Sequence, residues 1–292
     1  MVNALWADQQ FQSSLSQGFY RVFSVYDHAL NLCNEQAMIT LVSKDKPKAP
    51  ITCVCNLSSF SNYQLNVGMQ VLSSSHTLSI GSLHVDLRKV ASDSLVELIG
   101  CYPSLENIRL GLQSLVQWLD QHAHHEGAIA LFSSPHDVFS THVVHILNQY
   151  LQTVDTQLLP SLIGCGIGQT PSGDDVLVGM LALAYSCNHL EFIKELKHCC
   201  EPVLYQTTLV SQMMLRQAFE GQFNQWHQEL ILSLSRPLEV KESAEICETL
   251  GHTSGTDFMV GVAVYGLSHK KENTSCIMRQ TYLKTATSTP SV

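Results

Sequence analysis

The stretch Gly164-Cys165-Gly166-Ile167-Gly168-Gln169-Thr170-Pro171-Ser172-Gly173-Asp174-Asp175-Val176-Leu177-Val178-Gly179 has a counterpart further along the chain, Gly251-His252-Thr253-Ser254-Gly255-Thr256-Asp257-Phe258-Met259-Val260-Gly261. Both contain Ser-Gly-x-Asp-x-x-x-Gly, and each is preceded by Gly-x-Thr, with Pro171 inserted in the first copy. Each opens an apolar run, VLVGMLALAY or FMVGVAVYGL, with no polar face. A helix apolar all round is a buried helix, and Gly179 and Gly261 would let its backbone approach a neighbour closely. The repetition predicts two related helix starts about a local pseudo-twofold axis. Within each start, a Ser with an acid three residues on fits a capping box, Ser172 with Asp175 and Ser254 with Asp257.

Outward from these motifs the helical period continues. Leu105, Ile108, Leu112, Leu115, Val116 and Leu119 recur at three- and four-residue intervals, placing them on one helical face. Further helices are predicted over 137–152, 175–188, 190–200, 203–220, 226–234, 241–250 and 257–268. The first hundred residues read differently. Runs at 38–43, 51–56, 64–73, 77–80 and 83–87 are rich in β-branched and aliphatic side chains and are divided by Gly, Ser, Asn and Pro. The charged loop KDKPKAP between the first two cannot continue a central strand. The chain therefore reads as α+β. A β-rich N-terminal domain, barrel- or sandwich-like, is expected over 1–103, a mostly helical domain carrying both motifs over 104–268, and a polar, mobile tail over 269–292.

The chain has 292 residues, with 25 acidic and 16 basic side chains, for a formal net charge of −9. That balance, without a long basic patch, disfavours a nucleic-acid binder, whose phosphate contacts need clustered Lys and Arg. Only 14% of residues are charged, against about 25% in a typical soluble domain, which suggests that a partner covers part of the surface. The longest nearly uncharged apolar stretch, 176–187, is far shorter than the roughly 20 residues needed to span a bilayer. The first residues lack the basic start and apolar run of a signal peptide, so the ten cysteines are expected as reduced, often buried thiols in the cytoplasm.

The glycines of 164–168 allow consecutive N–H groups to converge on an anion, and the helix that follows adds the positive end of its dipole. A phosphate or carboxylate would suit this arrangement. The loop is not a P-loop, because no Lys-Ser/Thr follows, and its spacing is not the dinucleotide fingerprint. Ser-x-x-Asp is equally common as plain helix-start chemistry; repetition and a second carboxylate shift the reading toward a site. Asp174 is not needed for the cap and is a candidate Mg²⁺ ligand, general base or substrate-amide acceptor; no other cofactor is implied and no metal site is assigned. His252 lies at the second helix start, where the dipole would favour a neutral imidazole. Arg216 stands on an otherwise apolar and amide-bearing helix, where a half-buried guanidinium would need a phosphate, a carboxylate or an Asp partner. The cluster His122-Ala123-His124-His125-Glu126 ends a helix before Gly127, where polar residues complement the dipole, so solvated or interface histidines are expected there.

The segments 164–179 and 250–261 together resemble the AllH-type subunit family of oxamate carbamoyltransferase. The resemblance extends to 20–41 (YRVFSVYDHALNLCNEQAMITL) and to 207–223 (TTLVSQMMLRQAFEGQF), where the family also has an Arg on a helix. It implies a transferase subunit in purine catabolism by allantoin degradation, within a multi-subunit complex that interconverts oxamate plus carbamoyl phosphate with oxalurate plus phosphate. The implied partners are the small anionic substrates, an FdrA-like subunit and a third subunit. On that basis Asp174, Asp175, His252 and Asp257 are the catalytic candidates. Gly166, Gly168, Thr170, Ser172, Gly173, Arg216, Thr253, Ser254 and Gly255 are the substrate- or phosphate-binding candidates. The chain departs from the family at Ile167, where Pro is usual, and at Gln169, where Leu is usual. A non-catalytic assembly subunit, with both motifs serving as helix joints, is the alternative.

Overall fold

The computed structural model describes residues 1–15, 19–35, 37–74 and 76–269. The tail expected over 269–292 lies, apart from His269, outside the described residues. The chain divides into two compact units, Met1–Val96 together with Gln222–Gln225, and Glu97–Gly221 together with the chain from Trp226 onward.

The first unit is the expected β-rich layer, built as a curled half-barrel of eight strands. In chain order it contains β1 (Val2–Ala7), α1 (Gln9–Leu15), β2 (Arg21–Val25), β3 (Ala29–Cys33), β4 (Met38–Ser43), β5 (Thr52–Cys55), β6 (Leu72–Ser73), β7 (Thr77–Ile80) and β8 (Leu83–Asp86). The strand order is β2-β3-β4-β5-β1-β8-β7-β6, with β4–β5 and β1–β8 parallel and the other neighbours antiparallel. Alternation sets the faces: in β7 and β8, Leu78, Ile80, Leu83 and Val85 point into the core. On the other face the paired residues Ser79 and His84 bond through Oγ and Nδ1 at 2.9 Å. Asn31 is a buried exception in β3; its Nδ2 donates to Ser24 Oγ and its Oδ1 accepts from Thr40 Oγ1, a polar rung across three strands.

The run 64–73, expected as one strand, pairs regularly only at Leu72–Ser73. Left-handed backbone at Gln64 (φ 49°) and Gly68 (φ 86°) bends the chain out of the extended conformation. The bent segment still bonds to the far edge of the sheet, with Val22 N–H donating to Met69 O at 2.9 Å and Val71 N–H donating to Tyr20 O at 3.0 Å. These bonds curl the sheet by bringing its two ends together.

The second unit is helical: α2 (Arg109–Gln121), α3 (Val138–Thr153), α4 (Ser172–Ser186), α5 (Leu190–Cys200), α6 (Leu209–Phe219), α7 (Gln225–Ser233, which begins in the other unit), α8 (Val240–Glu248) and α9 (Ser254–Ser268). The helix expected over 203–220 is broken. A 3-10 turn at Glu201–Gln206 precedes extended backbone at Thr207 and Thr208, and α6 begins only at Leu209, capped by the Thr208 hydroxyl.

The helices α4 and α9 form the centre of the unit. Every residue of α4 is buried, as is α9 from Gly255 to Leu267. They cross backbone to backbone through reciprocal contacts: a Cβ on Gly179 would overlap the carbonyl oxygen of Phe258, and one on Gly261 would overlap that of Val176. Val176 and Phe258 occupy equivalent places in the repeat, so the contacts are those of a pseudo-twofold axis. Around it, burial of each Val or Leu contributes about 1.5–3 kcal/mol.

This geometry separates two kinds of glycine. Gly179→Ala forces the central helices apart and is expected to cost more than about 3 kcal/mol, in the range of severe overpacking. Gly168→Ala, at φ 94° with nothing within 4 Å of the added Cβ, is expected to cost only about 1 kcal/mol of backbone strain. Urea unfolding of the two variants measures the difference; equal losses would contradict the close crossing.

Candidate functional site

The crossing of α4 and α9 sets their first turns side by side. Thr170 Oγ1 and Ser254 Oγ, one from each motif, share a hydrogen bond of 2.8 Å. Asp175 and Asp257, equivalent in the repeat, are both buried, and each is influenced by hydroxyls from both helix starts. Burial pushes the Asp175 carboxyl well above the usual carboxylate range, and the neighbouring Asp257 pushes it further; the Ser254 and Thr170 hydroxyls pull the other way, with Asp174 adding to the rise. Asp257 is raised to about 6, chiefly by burial, against the opposing effects of the Ser172 hydroxyl, the Ala128 N–H, the Thr253 hydroxyl and His252. The pattern is crossed, because each aspartate meets its own motif's Thr and the other motif's Ser. Asp175 Oδ2 and Asp257 Oδ2 are buried with no hydrogen-bond partner.

The two capping boxes expected from sequence are not formed. The caps are Pro171 and Thr253, with no side-chain cap bond, so both serines lie one residue inside their helices. The physical reason is that the crossing turns the serine hydroxyls toward the opposite motif. The amides of the first turns are also engaged: Gly173 N–H donates to Cys165 O at 2.9 Å, Gly255 N–H to Leu250 O at 3.0 Å and Asp174 N–H to Pro171 O at 2.9 Å. Gly166 packs its Cα directly on the amide of Ser172, where a Cβ would overlap the nitrogen; its φ of 145° is open to glycine. The alternate glycines therefore fold the loop back onto α4.

Asp174 plays a different part. It is fully buried; its Oδ1 accepts from Gly164 N–H at 3.0 Å, and its Oδ2 accepts from the Thr207 hydroxyl at 2.5 Å and the Ser211 hydroxyl at 2.7 Å. Burial raises its pKa against these three donors. Thr208 Oγ1 adds a bond to Gln169 O, so the start of α6 ties both ends of the Gly-rich loop. Among the described residues no group of three or more His, Cys, Asp and Glu side chains is arranged to hold a metal ion, and the oxygens of Asp174 are turned to amide and hydroxyl donors.

Sequence reasoning did not identify the segment Glu126-Gly127-Ala128 as part of this region. Ala128 N–H donates to Asp257 Oδ1 at 2.6 Å, and Gly127, at φ 66°, lies so close that a Cβ would stand 2.6 Å from the same oxygen and 3.2 Å from Thr253 Cβ. Glu126 Oε2 pairs with His252 Nε2 at 2.9 Å on the exposed side. His227 is likewise absent from the sequence reading; it stacks on Phe258 with ring centres 3.7 Å apart, and burial lowers its pKa to about 3.

Of the remaining candidates, Thr170, Thr253 and Ser254 are half-buried at the rim, Gly168 is exposed, and His252 faces solvent. Arg216, expected half-buried against an anion, is exposed. It lies in the last turn of α6, at the edge of the face that buries Leu215, Ala218 and Phe219, where it complements the C-terminal dipole. In the histidine cluster, His122 stacks on Trp118 at 4.0 Å and His125 on His136 at 3.8 Å.

Buried paired carboxyls, hydroxyls crossing between two repeated helix starts and a folded Gly-rich loop characterise an α+β protein with one duplicated motif. Residues 162–266 match the family of the oxamate carbamoyltransferase subunit AllH, and residues 3–93 match the AllH family N-terminal domain. The chain belongs to the AllH family, a carbamoyltransferase subunit family. No solved structure matches it. No helix among the described residues is long and apolar enough to cross a membrane.

A carboxyl whose pKa is higher folded than unfolded holds its proton more tightly in the native state, so stability falls as pH rises from the unfolded value toward the folded one. For Asp257, the interval between 3.8 and about 6 corresponds to about 3 kcal/mol lost above pH 6. Asp257→Asn, neutral at every pH, is expected to raise stability at pH 7.5 by up to about 3 kcal/mol, with the gain vanishing toward pH 4. Thermal unfolding of both proteins across this range checks it; a destabilised variant at pH 7.5 contradicts the buried, raised carboxyl.

Proposed function

We propose that this chain carries the carbamoyl-transferring site of an oxamate carbamoyltransferase-type enzyme, acting on oxamate with carbamoyl phosphate, or on oxalurate with phosphate in reverse. The observation that supports this most is the crossed set of Asp175 and Asp257 with Thr170, Ser172, Thr253 and Ser254. Carbamoyl transfer forms a C–N bond from the oxamate amide nitrogen to the carbamoyl carbon and breaks the C–O bond to phosphate. The nitrogen must release one proton, and the departing phosphate ends with one more. A carboxyl near pKa 6 is matched to that relay. Asp257, ionised above pH 6, takes the proton, while Asp175, held protonated by burial, keeps the second carboxyl from adding a charge beside an anionic substrate. The rim hydroxyls of Thr170, Thr253 and Ser254 supply donors for substrate oxygens, with Gly166, Gly168, Gly173 and Gly255 shaping the backbone around them. Asp174 braces the loop through Thr207 and Ser211. His252, on Glu126, and the exposed Arg216 lie where they can meet substrate or partner chemistry from solvent. The proposed setting is allantoin-derived purine breakdown in the cytoplasm, together with an FdrA-like subunit and a third subunit. No step calls for Mg²⁺.

The engaged first-turn amides favour a second reading, an assembly subunit whose motifs are helix joints. The two are separated by turnover in the assembled enzyme. Asp257→Asn is expected to lower oxalurate synthesis by about 10²–10⁴-fold, the range for loss of a general base, without loss of assembly. In the wild type, synthesis is expected to rise as pH passes through about 6 and phosphorolysis of oxalurate to fall over the same interval, since the reverse step needs the protonated carboxyl. Unchanged turnover in the variant leaves the assembly reading.

A further inference from the structure

Two buried oxygens at the paired helix starts have no partner. Asp175 Oδ2 and Asp257 Oδ2 make no hydrogen bond, although Asp175 is only 3% exposed and Asp257 0%. They occupy equivalent places in the repeat, and the charge of Asp257 is felt at Asp175. A buried polar atom left unpaired costs about 1–3 kcal/mol, and here two are left unpaired at one place. A hard cation is a poor occupant. Among the described residues no third His, Cys, Asp or Glu completes a metal site with them, and burial favours the protonated carboxyl, which is not a cation ligand.

The orientation of Asp257 is fixed. Its Oδ1 accepts from Ala128 N–H at 2.6 Å, and Gly127 packs so closely that a Cβ would stand 2.6 Å from the same oxygen. Ala128 is fully buried at the start of the 3-10 turn Ala128–Phe132, so its amide has no water to turn to. Oδ1 is therefore committed, and Oδ2 is the oxygen left for another molecule. Asp257 is the first of the pair to ionise: burial raises it to about 6, while burial and the neighbouring Asp257 hold Asp175 well above the usual carboxylate range. Above pH 6 the two carboxyls then differ in kind. Asp257 Oδ2 only accepts, whereas Asp175 keeps a proton to donate. A donor beside an acceptor matches the edge of a primary carboxamide, whose carbonyl oxygen accepts and whose N–H donates. It does not match a carboxylate, because both oxygens of a carboxylate accept and one of them would face Asp257.

We propose that Asp175 and Asp257 together receive the carboxamide edge of the acceptor substrate through their unpaired oxygens, and that Asp257, held by Ala128 N–H, selects an amide over a carboxylate. The pairing of donor and acceptor rests on geometry, and the name of the ligand, oxamate, rests on the carbamoyltransferase reading above. The test titrates the enzyme assembled with its partner subunits by calorimetry at pH 7.5, with and without inorganic phosphate, alongside oxalurate synthesis. The ligands are oxamate and oxalate, which differ only in that group. The wild type is expected to hold oxamate at least about 100-fold tighter than oxalate, because an analogue lacking the N–H leaves buried groups unpaired. In Asp257→Asn the side-chain oxygen must stay on Ala128 N–H, so the NH2 group stands where Oδ2 was and presents a donor. That variant is expected to bind oxalate at least about tenfold tighter than the wild type does and oxamate more weakly, with a melting temperature no lower. An Asp257 that only props up the fold would shift both ligands together. No preference for oxamate in the wild type under either condition, an unchanged ratio in Asp257→Asn, or a Mg²⁺-dependent rise in melting temperature that the variant abolishes would each overturn the proposal. The two readings fail separately. An enzyme that prefers oxamate, loses that preference in the variant and makes no oxalurate keeps the amide site and loses the transferase; one that makes oxalurate without rejecting oxalate keeps the transferase and loses the amide site.

Discussion

The helical unit depends on one constraint: two helices without a polar face must be buried against each other, and they do so at the range of backbone contact. Gly179 and Gly261 make that crossing possible. Once it is made, the first turns of α4 and α9 are adjacent, and Asp175 and Asp257 there are removed from water. The cost falls on Asp175 and Asp257, whose charged forms burial disfavours. A fold designed for stability alone would place apolar residues at those positions, so the two carboxyls mark a place where stability is given up.

The surrounding structure holds this region from three directions. From α6, Thr207 and Ser211 fix Asp174 and Thr208 fixes the loop. From the segment after α2, Ala128 supplies an amide to Asp257 and Glu126 holds His252. From within, Thr170 and Ser254 join the two motifs directly. The side chains that reach solvent are the hydroxyls of Thr170, Thr253 and Ser254, the His252 imidazole and the loop tip.

Much of this was legible in the chain. The repeated Ser-Gly-x-Asp element announced two buried helices related by a local axis, because apolar runs without a polar face have only one place to go. The strands at 38–43, 77–80 and 83–87 followed from β-branched and aliphatic runs divided by turn residues. What stayed hidden depended on tertiary partners. Strands β2 and β3 contain Ser24 and Asn31, which weaken the apolar pattern and are tolerated only because they bond to each other and to Thr40. The capping boxes failed because spacing fixes which groups are near in a helix, while the crossing decided which neighbour the serines chose. Ala128, Thr207 and Ser211 are unremarkable locally; nothing in one sequence says that their donors converge on Asp257 and Asp174. Arg216 was misjudged because amide-bearing neighbours resembled a buried face that the helix in fact turns to solvent.

Within the Ser-Gly-x-Asp turns themselves the duplication differs at one position, Asp174 in the first motif against Thr256 in the second. Thr256 bonds its hydroxyl within its own turn, to Thr253 O at 2.7 Å, whereas Asp174 anchors a separate helix. A site with full twofold equivalence would accept an unsymmetrical pair of reactants equally well in either direction. That mismatch makes the two halves inequivalent, so the paired helix starts have distinguishable ends, one braced by a separate helix and one closed on itself.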